Sequence, residues 1–534
     1  MNDFSARAAP GPAGGPAAPL TWGQPRARWV LTATVLGSAL SFLDATVVNI
    51  ALPSLGADLG AGTAGLTWVV NAYALTLAAF VLLGGALGDR YGRRRIFLIG
   101  VTVFAAASVL CGLAPDTTVL VLARAAQGVG GALLTPAGLA ILQASFAPED
   151  RARAIGAWSG LTGVAAAVGP FLGGWLVQAV SWRWVFLINL PLALAVVVIS
   201  LRCVPESRDP GAAARPDVPG SALLVLALGS LTYGLTAAAE AGPGAPVPLG
   251  LLTGGLVLLA GFLLWERRSR APVLPPAVLR VRLFVVVNVI TLLVYAALGA
   301  VFFALVVALQ VGAGFSPLAA GLSLLPVTLL MLVFSAPVGA LMSRTGPRPL
   351  MTLGPLVAGL GVALLGRVGP GADYVLDVLV PTTVFGAGLT LIVTPLTATV
   401  LAALPEEQAG LASGVNNAVA RTGGLLAVAA LPLLGGLGDG GLAEPERVRD
   451  AFVLITRVCA GALVVGGLLS ALLVRTPAEQ AAARAGPPVG RPAPPRAAVA
   501  PTHCAVGGPP AALPPAASPP VADPGTPGAA PTHR

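Results

Sequence analysis

The chain has 534 residues, 56% of them hydrophobic and only 10% charged, with a mean hydropathy of +0.86. Soluble domains carry roughly 25% charged residues, so this balance excludes an ordinary soluble enzyme and predicts a polytopic, all-α membrane protein. The net charge of +9 sits in short arginine clusters between apolar runs, which is the distribution of the positive-inside rule and not of a nucleic-acid surface.

A helix crosses a bilayer with about 20 mostly apolar residues. Fourteen such spans are expected, at 30–52, 66–88, 96–114, 118–145, 154–178, 184–203, 219–238, 247–265, 284–308, 317–341, 349–367, 375–402, 410–436 and 451–474. The Pro/Ala/Gly-rich segments 1–27 and 476–534 are expected to be disordered. With an even number of spans, both termini share a side with the clusters at Arg93–Arg95, Arg151 and Arg153, and Arg267 and Arg268. The opposite loops hold few arginines, among them Arg183 and Arg367. Both termini are therefore expected in the cytoplasm of a bacterial cell, with the protein multi-pass in the plasma membrane.

The sequence contains no Lys, and both histidines, His503 and His533, fall in the C-terminal segment. The four cysteines are scattered without metal-ligand spacing, and no Gly-rich nucleotide loop is present. The expectation is no cofactor, no metal, no nucleic-acid partner and no enzymatic step.

In span 1, "SFLDATVVNIALP" places Asp44 inside an apolar run. An ionised carboxylate there costs about 2.5–3.5 kcal/mol on insertion scales. A carboxyl in such surroundings can be charged in one state and neutral in another, so Asp44 is the candidate proton site. An Asp of this kind can also be charge-matched by a cationic substrate, so proton and substrate could compete for it. One charge moved through 100 mV is worth about 2.3 kcal/mol. At about 1.4 kcal/mol per tenfold, that supports a gradient of roughly fifty-fold.

A repeat links two loops. "GALGDRYGRRR" from Gly85 follows span 2, and "GALMSRTGPRP" from Gly339 follows span 10, with Ser343 in the place of Asp89 and Pro347 in the place of Arg93. The copies lie eight spans apart on one membrane side. The simplest plan is two six-helix halves, 28–203 and 283–475, separated by 204–282 with two inserted spans.

The first copy resembles the loop 2–3 signature of the major facilitator superfamily, Gly-x-Leu-x-Asp-Arg-x-Gly-Arg-Arg. In span 4, "LARAAQGVGG" carries Arg124, Gln127, Gly128 and Gly130, and resembles that superfamily's Arg-x-x-Gln-Gly-x-Gly. In span 5, Gly169, Pro170, Gly173 and Gly174 resemble the antiporter signature, with Ala165 where its first Gly is usual. "WVVNAYAL", "WRWVFLINLPLA" and "GLASGVNNAVARTGG" narrow the likeness. Over about residues 30–475 the chain is similar to the fourteen-span drug:proton antiporter family of EmrB/QacA type.

That resemblance implies a major facilitator fold with fourteen transmembrane helices. It also implies alternating-access antiport: proton-coupled efflux of amphipathic drugs, antibiotics or related small molecules, many of them cationic or aromatic. A dedicated exporter of a self-made secondary metabolite, or a proton symporter for nutrient uptake, are the alternatives. Asp44, Arg124 and Arg421 are the expected proton-coupling residues. Asn49, Asn71, Tyr73, Asn288, Tyr295 and Asn417 are the expected substrate contacts. Gly85, Asp89, Arg90, Gly92 and Arg93 form the expected conformational gate. The energy source is a proton gradient, the partners are substrate, protons and lipid, and the chain is expected to act as a monomer.

Overall fold

The computed structural model describes residues 19–209, 217–269, 272, 274–405, 408–436 and 444–474. The expected tail 476–534 lies outside them, as does 1–18 of the expected N-terminal segment. The helices of the first half are α1 (Pro25–Leu59), α2 (Thr63–Tyr91), α3 (Arg93–Gly112), α4 (Thr117–Ser145), α5 (Pro148–Ala179) and α6 (Trp184–Cys203). Then come α7 (Val218–Ala241) and α8 (Pro246–Glu266). The last six are α9 (Arg282–Gly312), α10 (Pro317–Thr345), α11 (Pro347–Leu365), α12 (Tyr374–Ala402), α13 (Ala409–Gly435) and α14 (Pro445–Leu473).

Among the described residues, thirteen of these are long and apolar enough to cross a membrane. The remaining one is α5, a helix of 32 residues that is not among the thirteen.

Three of the spans are interrupted just before a proline. In α6 the helix breaks between Leu187 and Asn189. Pro191 has no N–H to bond the Leu187 carbonyl, so the fourth carbonyl back is freed at the break. In α10 the pieces Pro317–Leu322 and Leu325–Thr345 part at the carbonyl that Pro326 cannot reach, by the same rule. The wide turn Tyr374–Leu379 that opens α12 precedes Pro381 in the same way.

The internal repeat is also a repeat of backbone. Gly92 takes φ +115° and Gly346 φ +79°, a region that favours glycine. Each closes its helix identically, Gly92 N donating to Gly88 O (3.0 Å) and Gly346 N to Met342 O (2.8 Å).

Helices α1 to α6 pack on one another, and so do α9 to α14, while α7 and α8 form a hairpin. Small residues let that hairpin close: Ser230 Oγ donates to Leu251 O (2.7 Å), and Leu231 rests against Gly255. Helix α7 also touches α2 and α13, one from each half.

Order begins earlier than the expected boundary at residue 28. Leu20 pairs with the chain around Phe146, its N–H bonding Ser145 O at 2.8 Å. Trp22 N donates to Asp150 (2.7 Å), and its ring lies 4.4 Å from the Arg153 guanidinium. Leu20 and Trp22 are the apolar residues of an otherwise Pro/Gly/Ala stretch, and burying them against the α4–α5 corner orders it.

Candidate functional site

Asp44 lies on α1, turned into the first-half helices, and is 0% exposed. Arg124, on α4 and 1% exposed, meets it: Arg124 Nη1 is ion-paired to Asp44 Oδ2. The guanidinium also donates from Nε to Val69 O (3.0 Å) and from Nη1 to Gln127 Oε1 (2.6 Å). Gln127 sits one helical turn beyond Arg124 and donates to Asp44 Oδ1 (2.8 Å) and Ser108 Oγ (2.8 Å). Asn189, the first residue after the α6 break, donates to the same Asp44 oxygen (3.2 Å) and to Ser108 Oγ (3.3 Å).

Thus side chains of α4 and α6 bond one buried carboxylate of α1, and α2 and α3 hold those side chains in turn. Additional hydrogen bonds of this kind are what make a buried ion pair tolerable in a low-dielectric interior. The Tyr73 ring lies 4.3 Å from the Arg124 guanidinium, and its hydroxyl is 2.6 Å from Ser41 Oγ.

Between the halves is a cavity of about 450 Å³, within the range of small-molecule sites, about 300–1,000 Å³. Its wall includes Asn49, Asn71, Tyr73, Tyr295 and Asn417 of the expected contacts, and both Arg124 and Arg421. Asp44 does not line it; the carboxylate is sealed behind Arg124. Asn288 does not line it either. That amide is buried and donates to Phe284 O (2.9 Å), and its oxygen accepts from Asn416 (3.3 Å). The residue facing the cavity at this level is Asn416.

The three expected coupling residues therefore divide. Asp44 and Arg124 form one pair, while Arg421 stands in the cavity wall on α13, its Nε 3.2 Å from Asn417 Oδ1.

Asn189 and Ser108 went unmarked in the sequence. A signal was present: Asn189 is a lone amide in an apolar span, the same anomaly that singles out Asp44.

The residues of the expected gate bond one another locally. Asp89 is bonded by Arg93 one turn on (Nη2–Oδ1 2.8 Å), not by the second half. The segment after α6 straps this loop. Glu206 accepts from the backbone N of Arg94 (3.1 Å) and Arg95 (3.2 Å), capping the start of α3, and Ser207 O accepts from Arg93 N (2.9 Å). Glu206→Ala removes that cap, and thermal unfolding in detergent is expected to show a loss of about 1 kcal/mol.

At the other end of the helices the halves are in contact. Gln310 of α9 donates to Ile50 O of α1 (3.0 Å). Gly169 and Gly173 lie against Thr46 and Val47 of α1. Gly174 faces Pro317 and Leu318, and Gly321 faces the Pro170 carbonyl, each too closely for a Cβ. The span 5 glycines thus let α5 approach α1 on one side and α10 on the other.

A sequence model of the Major Facilitator Superfamily matches residues 34–428. The puromycin resistance protein of Streptomyces alboniger is 39% identical over 76% of this chain and 81% of its own length. The tetracenomycin C resistance and export protein of Streptomyces glaucescens is 36% identical, covering 79% and 77%. The multidrug resistance protein Stp of Mycobacterium tuberculosis is also 36% identical, covering 75% and 74%. Among solved structures, a peptide transporter of the POT family in complex with sulfate superposes with a TM-score of 0.62, covering 84% of this chain and 94% of that one at 16% identity, a likeness of fold alone. The helical halves, the loop signature and these matches place the chain in the major facilitator superfamily.

Proposed function

We propose that this chain exports an antibiotic or related amphipathic small molecule across the bacterial plasma membrane by alternating access, with protons returning through Asp44. Relatives named for resistance and export support the export direction. The observation that carries the coupling is the sealed Asp44–Arg124 pair, whose guanidinium faces the carboxylate on one side and the cavity on the other. With Asp44 ionised, Arg124 is neutralised and held. A proton on Asp44 removes that counter-charge, and Arg124 must find other acceptors, so the protonated and ionised forms have different wall geometry. A cycle in which the protonated empty form and the ionised loaded form each reorient is an exchanger.

No bond is made or broken, no cofactor is needed, and the proton gradient is the energy source. A single chain contains the whole cavity, and both termini face the cytoplasm on the arginine distribution.

Vesicles containing the full chain, loaded with a pH dye, test the coupling. Adding a transported compound is expected to release protons in the native protein and none in Asp44→Asn at equal abundance. Proton release unchanged in that variant overturns the assignment.

A further inference from the structure

One of the two charges in the cavity wall has no counter-ion among the described residues. Among the described residues, no acidic side chain lines the cavity. Arg124 is accounted for by Asp44 behind it. Arg421 has no carboxylate within ion-pair distance among the described residues; its partners are Asn417 Oδ1 (3.2 Å) and, at 5.9 Å, the Phe42 ring. A cation in a mostly apolar wall without a counter-ion is costly, and an anionic group on an occupant would relieve that cost.

A second, independent observation points the same way. Asn71 is 1% exposed and lines the cavity, yet neither atom of its amide has a hydrogen-bond partner. The Asn49 carbonyl oxygen, in the same wall, is likewise buried and unpaired. Buried side-chain amides in finished structures are bonded as a rule. Together Asn71 and Asn49 hold one unpaired donor and two unpaired acceptors in the cavity wall. The rest of the lining is mainly apolar, with the rings of Phe42, Tyr295 and Phe302 set among aliphatic side chains such as Leu77, Leu298 and Val428.

We propose that the transported class is an aromatic compound bearing an acidic oxygen, a carboxylate or an ionised phenol or enol, which meets Arg421, with a neighbouring hydroxyl or carbonyl on Asn71 and Asn49. A permanent cation finds no counter-charge in this wall and is excluded. The inference rests on the export reading and is independent of proton coupling. Its energetics agree with that reading, because an anion leaving and a proton entering move charge in the same sense. An inside-negative potential drives both.

The test uses one two-ring scaffold in three charge forms: 1-hydroxy-2-naphthoate, its neutral carboxamide, and the corresponding aminomethyl cation. Binding is measured by calorimetry to the full chain in lipid nanodiscs. The acid is expected to bind at least tenfold more tightly than the amine. Arg421→Gln is expected to erase that preference while shifting the carboxamide less than threefold, and Arg421→Lys to retain part of it. Equal or tighter binding of the amine, binding of none of the three, or an unchanged acid-to-amine ratio in a folded Arg421→Gln protein overturns the proposal. The native protein alone decides between acid and amine if that variant does not fold. Selective binding of the acid without outward movement from loaded vesicles leaves the site standing and removes the export reading instead.

Discussion

Arg124→Met is expected to destabilise the purified protein by about 3–5 kcal/mol, the cost of leaving a buried charge without its partner. Asp44 would keep its bonds from Gln127 and Asn189, but two neutral amides do not balance a full charge in an environment this dry. Asp44→Asn on its own leaves Arg124 with Val69 O and Gln127, so it too is destabilising. The double variant Asp44→Asn/Arg124→Met removes both charges and is expected to recover most of the loss. The cycle is read from thermal unfolding in detergent. A double variant that simply adds the two single losses would show that the pair has no coupling energy. The same cycle in vesicles separates stability from transport, because the double variant is expected to fold and yet fail to concentrate substrate.

The second large effect is expected from a single methyl group. Gly321→Ala places a Cβ against the carbonyl oxygen of Pro170, and neither backbone can yield without moving α5 or α10. Overpacking of this kind costs about 1–3 kcal/mol, and about 1.4 kcal/mol already shifts a two-state population tenfold. The contact exists only while this end is closed, so the cost falls on the closed form. A cysteine introduced at Asn49 in a cysteine-free background reports the shift. Its labelling by an impermeant thiol reagent from the Gly321 side is expected to rise about tenfold when Gly321→Ala is added. Unchanged labelling would mean that the glycine contact does not hold the halves together at this end.

What could be read from the sequence was local. Each run of about 20 apolar residues became a helix, because in a bilayer no other element satisfies the backbone from within. The loop repeat was visible as letters and reappears as two glycines with matching positive φ and matching caps at Gly92 and Gly346. Asp44 and Arg124 each stood out as charges in apolar runs. Their being partners was not legible, since they are 80 residues apart and only the packing of α1 on α4 brings them together. Gln127 and Asn189 joined the same carboxylate for the same reason.

Asn288 shows the converse. A polar residue in a span looks like a substrate contact, but a neighbouring amide, Asn416, takes it up. A lone carboxylate in an apolar span left open whether it meets the proton, the substrate or both; in the structure Arg124 lines the cavity and Asp44 does not.

Helix α7 rests on both α2 and α13, with the Tyr233 ring 5.9 Å from Trp68 of α2. Those two helices belong to opposite halves and both contribute cavity wall. The inserted hairpin is therefore a shutter over one seam of the transporter. Lipid chains and greasy solutes dissolved in the bilayer meet α7 and α8 on that flank before they reach the cavity wall. Any approach to the cavity from the bilayer on that flank is thus screened by two helices that contribute nothing to its lining.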